Sequence, residues 1–209
     1  MQGVAFASVQ PLAEIKLPEP RTDGSVSVEK ALAARRSVRE YRQGQLALVE
    51  VAQMLWAAQG ISQRPGLRTT PSAGALYPLE VYLVAGDVGG LRSGVYRYRP
   101  RPHALIGIVE GDRRAALSRA ALAQEFVEQA AAALVFCGVY ERTTGKYGDR
   151  GVRYVHMEAG HAAENVYLQA VTLGLATVVV GAFQDDQVRR VIGASGDEAP
   201  LYVMPIGNA

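Results

Sequence analysis

The chain has 209 residues, a formal net charge of +2, 49% hydrophobic and 20% charged residues, which is enough apolar material for one sizeable core. So small a charge argues against a nucleic-acid or membrane surface, and the single cysteine, Cys137, excludes an intramolecular disulfide and cysteine-based metal binding. No apolar run is long enough to span a bilayer and no basic-then-hydrophobic leader opens the chain, so a cytoplasmic protein is expected.

Residues 1–24 carry Pro11, Pro18, Pro20 and Gly24 without sustained periodicity and read as an extended N-terminal arm lying over the fold or a partner subunit, with a free tail as the alternative; residues 25–209 read as a single domain. Ser25 or Ser27 caps a first helix through Val28 and Leu32 to the cluster Arg35-Arg36-Ser37-Val38-Arg39. Three guanidinium groups and a hydroxyl within five residues make a phosphate grip, because guanidinium forks match phosphate oxygens and stay charged. The competing reading is a solvated helix end whose arginines complement the dipole. A second helix, from about Leu48 to Ala58, packs Val51, Met54, Leu55 and Ala58 and stops at Gly60, with Trp56 a packed aromatic.

The stretch Thr69 to Pro78 follows. Its Pro71, Ser72, Ala73 and Gly74 are small or rigid, so backbone there can approach a flat heterocycle closely, or simply lead into the strand Leu79 to Ala85. Strands at Gly94 to Tyr98 and Ala104 to Glu110 form a hairpin with His103 in its turn. Asp112 caps a helix through Leu117 and Leu122 that can continue past Glu125 to Gln129, and Ala132 to Val139 is a buried central strand holding Cys137. Glu141 to Arg150 reads as a polar loop containing Lys146-Tyr147.

A long helix is expected from about Val152 to Leu173, with Val155, Ala159, Ala162, Val166, Ala170 and Leu173 on one face. Tyr154, Glu158, His161 and Asn165 make a polar stripe beside it, either a site wall or a solvated face. The remainder reads as a strand Leu175 to Phe183, a short helix from Asp185 or Asp186 to Ile192, and a last strand Leu201 to Ile206. Strands and helices do not alternate regularly, so the class is α+β rather than doubly wound α/β. His156 and His161 are five apart and face differently, so no metal site is expected; the dinucleotide fingerprint, the P-loop and the hydrolase nucleophile elbow are missing.

Arg35 to Arg39, Pro71 to Pro78, Lys146-Tyr147 with Arg150 to Tyr154, and Glu158 to Asn165 together resemble the nitroreductase-like FMN-dependent flavoprotein family, in particular its SagB-type, azoline dehydrogenase-like branch. The resemblance implies a nitroreductase-like fold, a central mixed or antiparallel sheet flanked by helices in an intertwined homodimer with FMN at the interface. It implies that Arg35, Arg36, Ser37 and Arg39 hold the FMN phosphate and ribityl chain. Pro71, Ser72, Ala73 and Gly74 of the other subunit would line the isoalloxazine, with Val180 and Gly181 approaching its other side. Members often carry a basic residue just after the final strand that reaches the phosphate; here Ile206-Gly207-Asn208-Ala209 stands there, so that contact is either missing or supplied elsewhere. The extra N-terminal domain of many azoline dehydrogenases has no counterpart, which argues against a leader-delivered peptide substrate.

The function so implied is two-electron transfer between NAD(P)H and an organic acceptor, such as a nitroaromatic or quinone, by a ping-pong scheme. A second reading is oxidation of an azoline-like heterocycle, in which Lys146-Tyr147 is catalytic: as hydride leaves one ring carbon a proton leaves its neighbour, and a tyrosine beside an ammonium can take it. A third is a non-catalytic flavin-binding protein.

Overall fold

The computed structural model describes residues 14–63 and 65–209; residues 1–13 of the expected arm lie outside the described residues. Among the described residues the elements run, in chain order, β1 (Glu14–Lys16), α1 (Val28–Ala34), α2 (Leu48–Gln59), β2 (Ile61–Gln63), β3 (Leu67–Arg68), β4 (Leu79–Ala85), β5 (Gly94–Arg99), β6 (Ala104–Glu110), α3 (Arg114–Ala120), α4 (Glu125–Gln129), β7 (Ala132–Gly138), α5 (Glu141–Tyr147), α6 (Arg150–Leu173), β8 (Leu175–Thr177), α7 (Asp185–Ile192) and β9 (Ala199–Asn208). Seven strands join in the order β1-β6-β5-β4-β7-β9-β8, every neighbouring pair antiparallel, and β2 and β3 form a separate small ribbon.

Alternation of side chains along a strand divides the core in two. Val81 and Leu83 of β4, Leu134 and Phe136 of β7 and Met204 of β9 point to a layer filled by Val51, Met54 and Leu55 of α2 and Val155, Ala159, Ala162 and Val166 of α6. Their neighbours Tyr82, Val84, Ala133, Val135, Cys137 and Val203 face Leu117, Val127, Val188 and Ile192 from α3, α4 and α7. Helices therefore cover both faces, which is why β7 is buried along its whole length and reads as a continuous apolar run. Burial also pushes the Cys137 thiol up, so it stays neutral and inert.

Four segments depart from the sequence-based expectation. The stretch after Asp112 is broken: Leu122 and Ala123 are left-handed, and Ser118 closes the corner by donating to Gln124 O at 3.0 Å, so α3 and α4 each turn their apolar side onto the sheet. Glu141 to Arg150, expected as a loop, is mostly α5; Thr143 is buried and Gly151 lets α6 pass so close that a Cβ there would lie 2.7 Å from Thr144 N. Tertiary packing supplies what the polar composition of this helix does not. The strand from Leu175 stops at Thr177, and among the described residues beyond it only Val180 bridges to β9, through Val203 (2.8 and 2.9 Å). The last strand is longer than expected and reaches Asn208.

The hairpin histidine also has a larger part than a turn residue. His103 is buried; its Nδ1 is 2.7 Å from Tyr98 Oη and its Nε2 3.0 Å from Pro18 O, while Leu17 N donates to His103 O. These bonds pin the segment following β1 to the end of the β5–β6 hairpin.

Candidate active site

Two groups of the candidate residues form along α6, one near each half. The first begins where α1 ends. Ser27 caps α1, its Oγ accepting from Lys30 N at 3.3 Å, and the helix stops at Ala34, so the arginine cluster follows the helix instead of occupying its last turn. Val38 N donates to Thr177 O at 3.0 Å, which lays the segment along the edge of β8. Arg35 is half-buried, with its guanidinium carbon 5.1 Å from the centre of the Tyr167 ring. Arg36 turns back and donates to Ala33 O (3.0 Å) and Arg35 O (2.7 Å), and Arg39 lies 5.8 Å from the Phe126 ring. Among the described residues none of these three guanidiniums pairs with a carboxylate.

Tyr167 of α6 is the residue that organises this end, and the sequence reading missed it. Its hydroxyl is 2.9 Å from Ser37 Oγ and accepts from Val179 N at 2.8 Å, so one phenol ties the arginine segment to the strand end carrying Val180 and Gly181. The available signal was a lone tyrosine beside the small-residue face of a long helix. Gly181 is exposed, and a Cβ there would meet nothing nearer than Tyr202 Cε1 at 3.9 Å.

The second group surrounds the stretch after β3. A single 3-10 turn, Ala73–Ala75, carries left-handed backbone at Gly74 (φ 64°) and Ala75 (φ 53°), and Tyr77 follows at φ 48°. Left-handed Ala and Tyr cost energy, so this strained turn is held by its surroundings. Tyr77 N donates to Ser72 Oγ at 2.9 Å, Tyr77 O accepts from Arg142 Nη1 at 3.1 Å, and Arg142 also pairs with Glu80. The two Arg142 contacts dock α5 onto the end of the turn and the start of β4. Lys146 and Tyr147 consequently arrive at Gly74, where an added Cβ would lie 2.8 Å from Tyr147 Oη and 3.0 Å from Lys146 Nζ. The Tyr147 ring meets Tyr154 edge-on, centroids 5.2 Å apart.

Pro71, Ser72 and Ala73 with Tyr154, Met157, Glu158 and His161 line an open cavity of about 270 Å³. The polar stripe of α6 is thus divided in use. Tyr154, Glu158 and His161 face the cavity, whereas Asn165 donates to Ala57 O (3.2 Å) and Thr70 Oγ1 (3.1 Å) and joins α6 to α2. Behind the wall, Arg68 donates to Gln59 Oε1 at 2.8 Å and stacks 4.4 Å from the Tyr77 ring centre. Neither residue stood out in the sequence. Glu158 is buried, and desolvation raises its carboxyl to about 7 against the pull of Ser72, Arg68 and Gln59.

The structure therefore joins Gly74 with Lys146-Tyr147, and, through Tyr167, Arg35 and Ser37 with Val179, the residue before Val180-Gly181. It does not join the two groups. Glu158 and Tyr167 are nine residues apart on one helix, about 13 Å along its axis.

An all-antiparallel sheet covered by helices on both faces, with unneutralised cations against one end of a long helix and a strained small-residue turn at the other, defines an α+β enzyme of the nitroreductase-like class. The Nitroreductase family model matches residues 32–208, and the chain belongs to that family, hence to the oxidoreductases. It is 47% identical over 195 residues to Methanocaldococcus jannaschii MJ1384, a protein provisionally named as a nitroreductase, covering 93% of this chain and 96% of that one. It is also 31% identical over 147 residues to the Escherichia coli microcin B17-processing protein McbC, covering 68% of this chain and 54% of McbC. Among solved structures, that of a Ralstonia eutropha JMP134 protein, also provisionally named as a nitroreductase, superposes with a TM-score of 0.81 at 30% identity over 100% of this chain and 97% of that one.

Proposed function

We propose that the protein is an FMN-dependent oxidoreductase that moves two electrons between NAD(P)H and an organic acceptor, with nitroaromatics and quinones as the acceptor class. The observation that carries this reading is the donor set at the end of α1. Arg35, Arg36 and Arg39 lack carboxylate partners among the described residues, and the Ser37 hydroxyl meets the Tyr167 side chain on which Arg35 stacks. Unpaired cations within one short segment are available to an anion, and a phosphate monoester of nearly two negative charges suits them.

FMN, when bound, supplies a ring that accepts and returns a hydride equivalent. The residues of this chain would do the holding: Arg35, Arg36, Arg39 and Ser37 the phosphate and ribityl chain, Val180-Gly181 one side of the ring, Pro71 to Gly74 the other. Because one copy keeps the first and second groups about 13 Å apart along α6, two copies facing one another are the arrangement in which both line one cofactor. We therefore read the working unit as a homodimer. The exposed apolar side chains Val152 and Met157 on α6 and Val28 and Leu32 on α1 are consistent with a covered face.

The test is direct. Purified protein should be yellow, release a phosphorylated flavin, and bleach rapidly and saturably on mixing with NADH or NADPH. Parallel double-reciprocal plots against a quinone would support the ping-pong scheme, and absence of bleaching with both nucleotides would refute the electron-donor assignment.

A second reading is favoured by the convergence of Tyr147 Oη and Lys146 Nζ on Gly74. Oxidation of an azoline-like ring needs a base beside the hydride acceptor, and the Tyr147 hydroxyl makes no hydrogen bond to the described protein. Tyr147→Phe separates the two: it should abolish azoline oxidation while leaving NAD(P)H-dependent quinone reduction within about threefold.

A further inference from the structure

Glu158 has no part in the reading above, and its surroundings give it one. It is 2% exposed on α6, and its Oε1 lacks a hydrogen-bond partner. Arg68 of β3 is the charged group facing it; Gln59 of α2 and Ser72 present neutral groups, and Tyr154 and His161 flank it on the same cavity wall. A carboxyl this dry holds its proton up to about pH 7.

Ser72, in the turn, lines the same cavity as Glu158, and no hydrogen bond joins the two side chains among the described residues. The Ser72 Oγ already accepts from Tyr77 N at 2.9 Å, so its own hydrogen is free to be donated to an ionised Glu158. When Glu158 carries a proton, the carboxyl becomes the donor and the serine hydrogen must turn elsewhere. Two residues on, Gly74 is left-handed and in van der Waals reach of Tyr147 and Lys146, so a small rotation at Ser72 is felt there. We propose that Glu158 is a positioning residue: through Ser72, its proton sets how the Pro71–Gly74 turn seats against the Lys146-Tyr147 pair, making the geometry of the site depend on proton uptake. The link to FMN rests on the function proposed above; the link from Glu158 to Gly74 does not.

The experiment follows the Gly74 amide and the Glu158 carboxyl by NMR in the full-length protein across neutral pH, with FMN affinity measured in parallel by fluorescence. Both signals should titrate with one midpoint near 7, and the FMN dissociation constant should change about threefold or more over the same interval. Glu158→Gln should flatten the Gly74 response, and Ser72→Ala should flatten it while Glu158 still titrates. His161→Gln should leave it intact.

A Gly74 amide indifferent to pH, or one that titrates unchanged in Ser72→Ala, overturns the proposal, as does loss of the step in His161→Gln. Should Glu158→Gln not fold, the wild-type and Ser72→Ala titrations decide. A flat FMN affinity beside a titrating turn overturns the coupling to the site. Failure to bind FMN at any pH instead strikes the proposed function, with the NMR result unaffected.

Discussion

The two ends of α6 hold charge in opposite ways. Near Tyr167, arginines stand at the surface, stacked on aromatic rings and unneutralised by the described protein, their charge retained in contact with water. Near Glu158, a carboxyl is taken out of water and keeps its proton to about pH 7. In the function proposed above, the first end receives an anion from outside. At the second, Arg68 faces the buried carboxyl and Lys146 stands at Gly74, so the charged groups lie around a dry acid. Exposure, rather than residue type, separates a binding cation from a titrating acid.

Reversing the charge at the first end gives the largest expected effect. Arg35→Glu should weaken FMN binding by roughly 100-fold or more, since a charge-assisted hydrogen bond is worth about 1.5–3 kcal/mol and repulsion is added. Riboflavin, which lacks the phosphate, should lose far less. Fluorescence titrations of the two flavins check this, and equal losses for both would show that the cluster does not hold the phosphate.

At the second end the expected effect is on stability. Glu158 has a folded-state value of about 7 against an ordinary value of 4.5, so the folded state binds more protons than the unfolded state between these limits. Its contribution is favourable at the acid side and is lost as pH rises from 4.5 to 7, by up to about 3 kcal/mol. Denaturant unfolding at a series of pH values should show this decline, and Glu158→Gln should remove it. A decline unchanged in that variant would move the titration to another group.

Gly74→Ala tests whether the turn and the Lys146-Tyr147 pair are one unit. The added methyl meets Tyr147 Oη at 2.8 Å and the backbone is left-handed, so a stability loss of about 1–2 kcal/mol is expected, with turnover falling about tenfold or more. Normal turnover in a folded variant would separate the pair from the turn. The smallest effect is expected for Tyr167→Phe. It removes the hydroxyl shared by Ser37 and Val179 N, at a cost of about 1 kcal/mol and a few-fold in FMN affinity, read from unfolding curves and the same titrations.

Much of the fold was legible. The apolar positions Val51, Met54 and Leu55 recur at helical spacing and do face the sheet from α2, and the continuous run Ala132 to Gly138 is the central strand. The misreadings have a common cause. Val178 to Phe183 has strand composition, yet pairing beyond Thr177 is limited to one bridge, because strand propensity needs a partner edge to act on. Glu141 to Tyr147 has loop composition and is helical because Arg142 and Thr143 find tertiary partners or burial.

The candidate site divides in the same manner. The residue types at Arg35 to Arg39, Pro71 to Gly74 and Lys146-Tyr147 marked themselves out by charge, small size and spacing, which are local properties. Tyr167, Arg68 and Gln59 carried no such mark. That Lys146 and Tyr147 meet Gly74, that one phenol joins Ser37 to Val179, and that burial raises the Glu158 carboxyl were settled only when distant segments packed. Desolvation and contact are sums over neighbours remote in the chain, and the linear order of side chains does not contain them.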